Sequence, residues 1–174
     1  MEWDYVPTER QDEFHRNPCK YKLYGGAMGG GKSYALCAES IKQSLKYPGN
    51  RGYLCRHQYV DFKRSTLVTF DRVCPPELLK AHYREDRIIV FRNGSEIQYG
   101  GLGGEEDLEK IKSTEFGWFG IDEASETFEE MFTIQRDALA EKAAYQGAAH
   151  REIALPMDIA LIRHFFASLG FTPT

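Results

Sequence analysis

The residues whose types and spacing can do chemistry begin with Gly26-Ala27-Met28-Gly29-Gly30-Gly31-Lys32-Ser33. They fit G-x-x-x-x-G-K-[ST] at every fixed position, the pattern of a phosphate-binding loop. The chemistry needs these types because glycine lets backbone N–H groups turn inward and approach phosphate oxygens with no Cβ in the way. A helix opening near Lys32 would add the positive end of its dipole to the same anion. Lys32 would then reach the β- and γ-phosphates of ATP, and the Ser33 hydroxyl would ligate Mg²⁺.

A second constellation, Asp122-Glu123, follows the apolar run Phe116-Gly117-Trp118-Phe119-Gly120-Ile121 about 90 residues downstream. Asp and Glu also open ordinary strand-to-helix turns. Combined with the loop, the pair instead reads as the other half of a triphosphate site. Asp122 would hold Mg²⁺ through water, and Glu123 would polarise the attacking water as base. The catalytic candidates are therefore Glu123 and Lys32, and the metal candidates are Ser33 and Asp122. Another glycine cluster, Gly100-Gly101-Leu102-Gly103-Gly104, leads into Glu105-Glu106-Asp107, whose carboxylates would repel phosphate. It is read as a loop or hinge.

These groups need elements to hold them. Tyr21-Lys22-Leu23-Tyr24 reads as a short strand entering the loop. Over residues 33–46, Cys37, Ile41 and Leu45 share one helical face, and Pro48-Gly49-Asn50 closes that helix. Gly52-Tyr53-Leu54-Cys55 is the next strand, which completes a βαβ unit and implies a parallel sheet. A helix over residues 59–73 buries Tyr59, Phe62, Thr66, Phe70 and Val73 before Pro75-Pro76. Asn93-Gly94 between two strand-like runs predicts a hairpin over residues 87–99, with positive φ at both turn residues. A short charged helix is expected at 105–112, and Thr127 with Glu130 resembles a capping box opening another. The alanine-rich stretch 141–150 is weakly patterned. Pro156 is expected to open a last helix with Ile159, Ile162, Phe166 and Leu169 on one side.

The 174 residues, 42% hydrophobic and 28% charged, suit one soluble globular domain. No apolar run approaches the roughly 20 residues that cross a bilayer, and the start of the chain lacks a secretory pattern, so no membrane association is expected. The four cysteines are scattered without C-x-x-C spacing, which argues for packed, reduced thiols over zinc or disulfides. A net charge of −4 does not advertise nucleic-acid binding by the whole surface, although local lysines and arginines can still grip DNA.

Four stretches together resemble the ATPase domain of tailed-phage terminase large subunits: Leu23-Tyr24-Gly25-Gly26-Ala27-Met28-Gly29-Gly30-Gly31-Lys32-Ser33, Lys63-Arg64-Ser65-Thr66-Leu67, Phe91-Arg92-Asn93-Gly94-Ser95 and Phe116-Gly117-Trp118-Phe119-Gly120-Ile121-Asp122-Glu123-Ala124. The similarity covers about residues 5–138. It implies an α/β P-loop NTPase fold of the ASCE, RecA-like kind, with a mainly parallel central sheet flanked by helices and a β-hairpin insertion. It also implies Mg²⁺-dependent ATP hydrolysis coupled to translocation of double-stranded DNA into a capsid. The implied partners are a portal protein and a small terminase subunit, in a homo-oligomeric ring at the procapsid portal in the bacterial host cytoplasm. Pro7, Thr8 and Gln11 resemble the adenine-recognising segment of such motors. Gln11 would exchange two hydrogen bonds with adenine, or else be a solvated glutamine on a starting helix. Arg56 resembles an arginine often found beyond the second strand, facing phosphate or DNA, or simply solvent.

The departures define the rest of the expectation. The matching stops near Ala138, which divides the chain into an ATPase unit, 1–140, and a helical tail, 141–174. No threonine- or asparagine-bearing coupling strand is evident, and too little chain follows Glu123 for a nuclease domain, so a short or truncated form is expected. Ala27 and Met28 stand where some terminase loops carry arginine, which leaves the transition-state arginine unassigned. The alternatives are a nucleotide-binding module without motor activity and a helicase-like nucleic-acid ATPase.

Overall fold

The computed structural model describes residues 3, 5–19, 21–25, 29–104, 107, 109, 111, 113–126 and 153–157. Among the described residues, seven strands form one sheet in the order β1-β7-β6-β2-β5-β4-β3. They are β1 (Tyr21–Gly25), β2 (Arg51–Cys55), β3 (Leu79–Tyr83), β4 (Ile88–Phe91), β5 (Glu96–Gly100), β6 (Trp118–Ile121) and β7 (Ile153–Met157). From β1 to β5 across the sheet every pairing is parallel, and β4 and β3 close it antiparallel.

The central strands are buried on both faces, as parallel strands covered on both sides must be. Leu54 and Trp118 join one core cluster, whereas Tyr53, Cys55, Phe119 and Ile121 join the other. The first cluster includes residues of α1 (Glu9–Arg16) and α2 (Lys32–Lys46) and of the helical stretch from Tyr59 to Val73. That stretch has the predicted limits but is not uniform. It runs as α3 (Tyr59–Asp61), a π turn (Phe62–Thr66) and α4 (Leu67–Val73), with the Leu67 N–H reaching back to the Phe62 carbonyl.

Three expectations are corrected. The sequence places residues 153–157 in a helical tail, with Pro156 opening a helix. They instead form β7, which pairs in parallel with both β1 and β6, so this part of the chain beyond residue 140 is an inner strand of the sheet, next to its β1 edge. A proline is tolerated in a strand where its missing N–H is not required by a neighbour. The hairpin, expected as an insertion, is built into the main sheet: β5 pairs with β2 and extends it. Its turn also differs, since Gly94 has φ +84° but Asn93 is not left-handed. The Gly94 N–H donates to the Phe91 carbonyl, the pattern of a type I turn followed by a left-handed glycine. The Asn93 side chain is used elsewhere: its Nδ2 donates to the Ser44 carbonyl at 2.7 Å, and Ser95 Oγ donates to the same carbonyl at 2.6 Å. These bonds pin the hairpin to the end of α2.

The second glycine run is a loop whose amides are spent internally, with Leu102 and Gly103 N–H groups both donating to the His57 carbonyl. Residues 107, 109, 111 and 113 have helical backbone, in keeping with the short charged helix. The helix expected from Thr127 and residues 158–174 of the expected tail lie outside the described residues.

Candidate functional site

The site is assembled where β1 and β6 end, the carboxyl edge at which open parallel sheets place ligands. Of the glycine-rich loop, Gly26, Ala27 and Met28 lie outside the described residues. Gly29 and Gly31 adopt φ +83° and +71°, a left-handed backbone that side chains disfavour. Gly31 is the N-cap of α2, a 15-residue helix, and as a glycine it brings no side-chain oxygen of its own to the first-turn amides. An anion fits there for that reason.

Ser33, in the first turn of α2, donates from Oγ to Asp122 Oδ1 at 3.0 Å. Asp122 follows β6 directly and is 1% exposed, and its own N–H donates to the Cys55 carbonyl at 2.8 Å. Its second oxygen, Oδ2, accepts from Thr66 Oγ1 at 2.6 Å. Glu123 has φ +49°, a left-handed conformation unusual for a residue with a side chain. A cavity of about 570 Å³ is lined by Gly29, Gly30, Gly31, Lys32, Ser33 and Glu123, together with Tyr34, Thr69 and Arg72. The described loop residues and the acidic pair therefore converge.

Gln11 is placed at this site, but its amide is spent within the protein. Oε1 accepts from the Thr8 N–H at 2.9 Å and Nε2 donates to the Gly31 carbonyl at 3.2 Å, while Thr8 Oγ1 accepts from the Gln11 N–H. This reciprocal arrangement is a capping box, and it makes α1 a brace for the glycine loop. The Thr8-x-x-Gln11 spacing carries that signal, which a reading of Gln11 as an adenine partner or a solvated glutamine passes over. Pro7 lies beside a neighbouring cavity lined also by Trp3, Tyr5, Asp12, His15 and Lys42.

Behind the loop lies a buried polar chain that sequence reasoning missed. Tyr5 Oη contacts His15 Nε2 at 2.8 Å, and His15 Nδ1 is hydrogen-bonded to Glu39. Glu39 Oε1 accepts from Lys22 Nζ at 3.1 Å and from Gln43 Nε2 at 2.8 Å. Burial, with Tyr34 and Glu39 nearby, pushes the Tyr5 phenol above its usual range, so it stays protonated. No spacing rule could have found this group, because its members come from four separate segments.

Arg56 is engaged within the protein. Its fork grips Glu126 through Nε–Oε2 at 2.8 Å and Nη2–Oε1 at 2.6 Å, and Nη1 donates to Ser65 Oγ at 3.1 Å. Hydrogen bonding to Arg56 holds the Glu126 carboxyl below its ordinary range. The buried thiols of Cys37 and Cys55 are pushed up, by burial first and then by the charge of Asp122.

Among the described residues no cluster of three or more His, Cys, Asp or Glu could hold a metal by itself, and no helix is long and apolar enough to cross a membrane. The donors fit magnesium nonetheless. A hydroxyl and a carboxylate oxygen, both hard donors, meet at 3.0 Å, and magnesium is usually held by one or two carboxylates plus substrate phosphates.

Comparison with solved structures places the fold. The large terminase of a thermophilic bacteriophage matches with a TM-score of 0.72 at 11% identity, over 87% of this chain and 39% of that one. The large terminase ATPase domain of Thermus phage P74-26 matches with a TM-score of 0.61 at 17% identity, over 90% and 66% of the two chains. The N-terminal domain of the DNA packaging ATPase from bacteriophage phi29 matches with a TM-score of 0.57 at 18% identity, over 88% and 81%. The chain thus spans about two fifths of the length of the first of these proteins. No curated protein matches. The family model described as phage terminase large subunit matches residues 19–148, a span containing the glycine loop, the π turn and the acidic pair, and the chain belongs to that family.

Proposed function

We propose that this chain is a Mg²⁺-dependent ATP hydrolase, the ATPase unit of a motor that drives double-stranded DNA into a viral capsid. The observation that carries the first half is the Ser33–Asp122 contact beside the glycine-led amino end of α2, with Lys32 and Glu123 lining the same cavity. The second half rests on family membership and on similarity to proteins named as packaging ATPases. A further match is to the bacteriophage phi29 viral genome packaging motor assembly, with a TM-score of 0.59 at 16% identity.

In this reading the amides after Gly29 cradle the phosphates and Lys32 neutralises the charge that builds on them. Ser33 and Asp122 hold the magnesium ion, which when bound supplies positive charge against the phosphate oxygens. Glu123 takes the proton of the attacking water as its oxygen bonds to the γ-phosphorus and the bond to the β–γ bridging oxygen breaks. Gln11 belongs to the nucleotide site by holding the Gly31 carbonyl, and so the loop, in place. Portal protein, small terminase subunit and a homo-oligomeric ring in the host cytoplasm are the partners and setting of this proposal.

The test is ATP hydrolysis and nucleotide binding by the full chain and by Lys32→Ala and Glu123→Gln. Glu123→Gln should keep nucleotide affinity while turnover falls about 100-fold or more, the usual worth of a general base. Lys32→Ala should lose affinity. A Glu123→Gln protein that turns over like the parent would sink the assignment. Stimulation by double-stranded DNA without strand separation supports the packaging half, whereas strand separation would favour a helicase-like ATPase.

A further inference from the structure

We infer that the π turn Phe62–Thr66 is the device that orients the acidic turn, with Thr66 as the positioning residue for Asp122. The inference rests on the reading of this site as a magnesium–nucleotide centre and extends it to a residue outside both motifs.

The observations begin with Asp122. Its carboxylate is buried, so each oxygen needs a donor. Ser33 supplies one to Oδ1 from the phosphate loop, and Thr66 supplies the other to Oδ2 from a different element. The two hydroxyls fix the rotation of the carboxylate about its own axis, because each holds a separate oxygen. Thr66 is fully buried, and the contact joins residues 56 positions apart. Its placement depends on the local backbone. A π turn widens the helix by one residue, and such turns concentrate at functional sites. Here Phe62, Thr66 and Leu67 are all buried, so the widened turn presents its hydroxyl inward together with two apolar neighbours.

The same turn grips the acidic segment a second time. Ser65 Oγ accepts from Arg56, and the Arg56 fork holds Glu126. Residues 122 and 126 are thus both tied to residues 65–66, and Glu123, with its left-handed backbone, lies between the two ties. A side chain that orients a metal-binding carboxylate without touching the metal typically changes metal affinity 10- to 100-fold when removed.

The experiment compares Thr66→Val, which keeps the shape and removes the hydroxyl, with Thr66→Ser, which restores it. Binding of a fluorescent ATP analogue is measured across a magnesium titration and in EDTA, alongside kcat, KM and thermal unfolding. Thr66→Val should bind as the parent does in EDTA but require about tenfold more magnesium for half-saturation. Its kcat should fall about tenfold with KM nearly unchanged at saturating magnesium, and Thr66→Ser should restore both to within about threefold. A Thr66→Val protein with parental magnesium dependence and kcat, whatever its melting temperature, overturns the inference. So does a serine variant as poor as the valine one. Should Thr66→Val not fold, Thr66→Cys, of serine size with only a weak donor, is judged by the same magnesium curve. A parent that binds nucleotide more tightly with magnesium yet never hydrolyses it removes the hydrolase reading alone, and the binding curve still decides Thr66. A parent with no magnesium-dependent binding overturns both.

Discussion

Ser33 Oγ donates to Asp122 Oδ1 across 3.0 Å, joining the first turn of α2 to the end of β6 over 89 positions of sequence. The contact is available because β1 and β6 flank β7 and run in the same direction, so their carboxyl ends open on one edge. Asp122→Asn removes the charge and forces an amide to face two hydroxyls. Turnover should fall at least about 100-fold, or about 2.7 kcal/mol of barrier, while analogue binding in EDTA stays within a few-fold of the parent. Paired kinetic and binding measurements check this.

Glu39 holds Lys22 and His15 together in the layer behind the loop, with side-chain exposures of 3%, 1% and 4%. Glu39→Ala leaves a buried ammonium without its carboxylate, which should destabilise the fold by about 3–5 kcal/mol in urea unfolding at neutral pH. The paired change Lys22→Met with Glu39→Gln removes both charges and should lose clearly less. Equal losses in the two proteins would show that the charge pairing is not what matters there.

The Arg56–Glu126 pair makes a pH-dependent contribution whose sign follows from the carboxyl. Hydrogen bonding to Arg56 lowers the Glu126 pKa in the folded state from its ordinary 4.5. The unfolded chain therefore binds the proton more readily, and the stabilisation is fully present above pH 4.5. It is lost as pH falls through the depressed folded value. Because Glu126 is partly exposed, the difference in stability between parent and Glu126→Gln should stay within about 1 kcal/mol near neutrality. That difference should shrink on acidification, as read by chemical denaturation at a series of pH values.

Gly52 is opposite Trp118 in the β2–β6 register, and the indole occupies the space a side chain would need. A Cβ at residue 52 would lie 1.9 Å from Trp118 Cε2, and Trp118 is itself buried. Gly52→Ala should cost about 3 kcal/mol, at the upper end of overpacking effects. Adding Trp118→Leu should recover part of the loss. Thermal unfolding of the three proteins tests both statements, and an unperturbed Gly52→Ala would contradict the packing described here.

Much of this was legible in the residues because it is local. The loop pattern needs only glycine conformational freedom followed by Lys-Ser, and α2 and β2 follow from apolar spacing within a dozen residues. The limits of the stretch from Tyr59 to Val73 were readable in the same way, since its apolar stripe and the terminating prolines are contiguous. The π turn inside it was not, because its widened geometry serves a contact with Asp122 that no nearby residue announces. The strand at 153–157 was illegible for a related reason. A short apolar run containing Pro156 looks like a helix start by composition, and only the space between β1 and β6 makes it a strand.

The linear order of amino acids by itself determined which groups are present for the chemistry: an amide-rich turn, a lysine, a serine and two adjacent carboxylates. It also determined that strand-like and helical segments alternate. Tertiary structure alone decided which hydroxyls reach Asp122, that Gln11 braces Gly31 and that Arg56 turns to Glu126. Those contacts join segments dozens of residues apart, and their partners are chosen by strand order and packing, which local propensity does not encode.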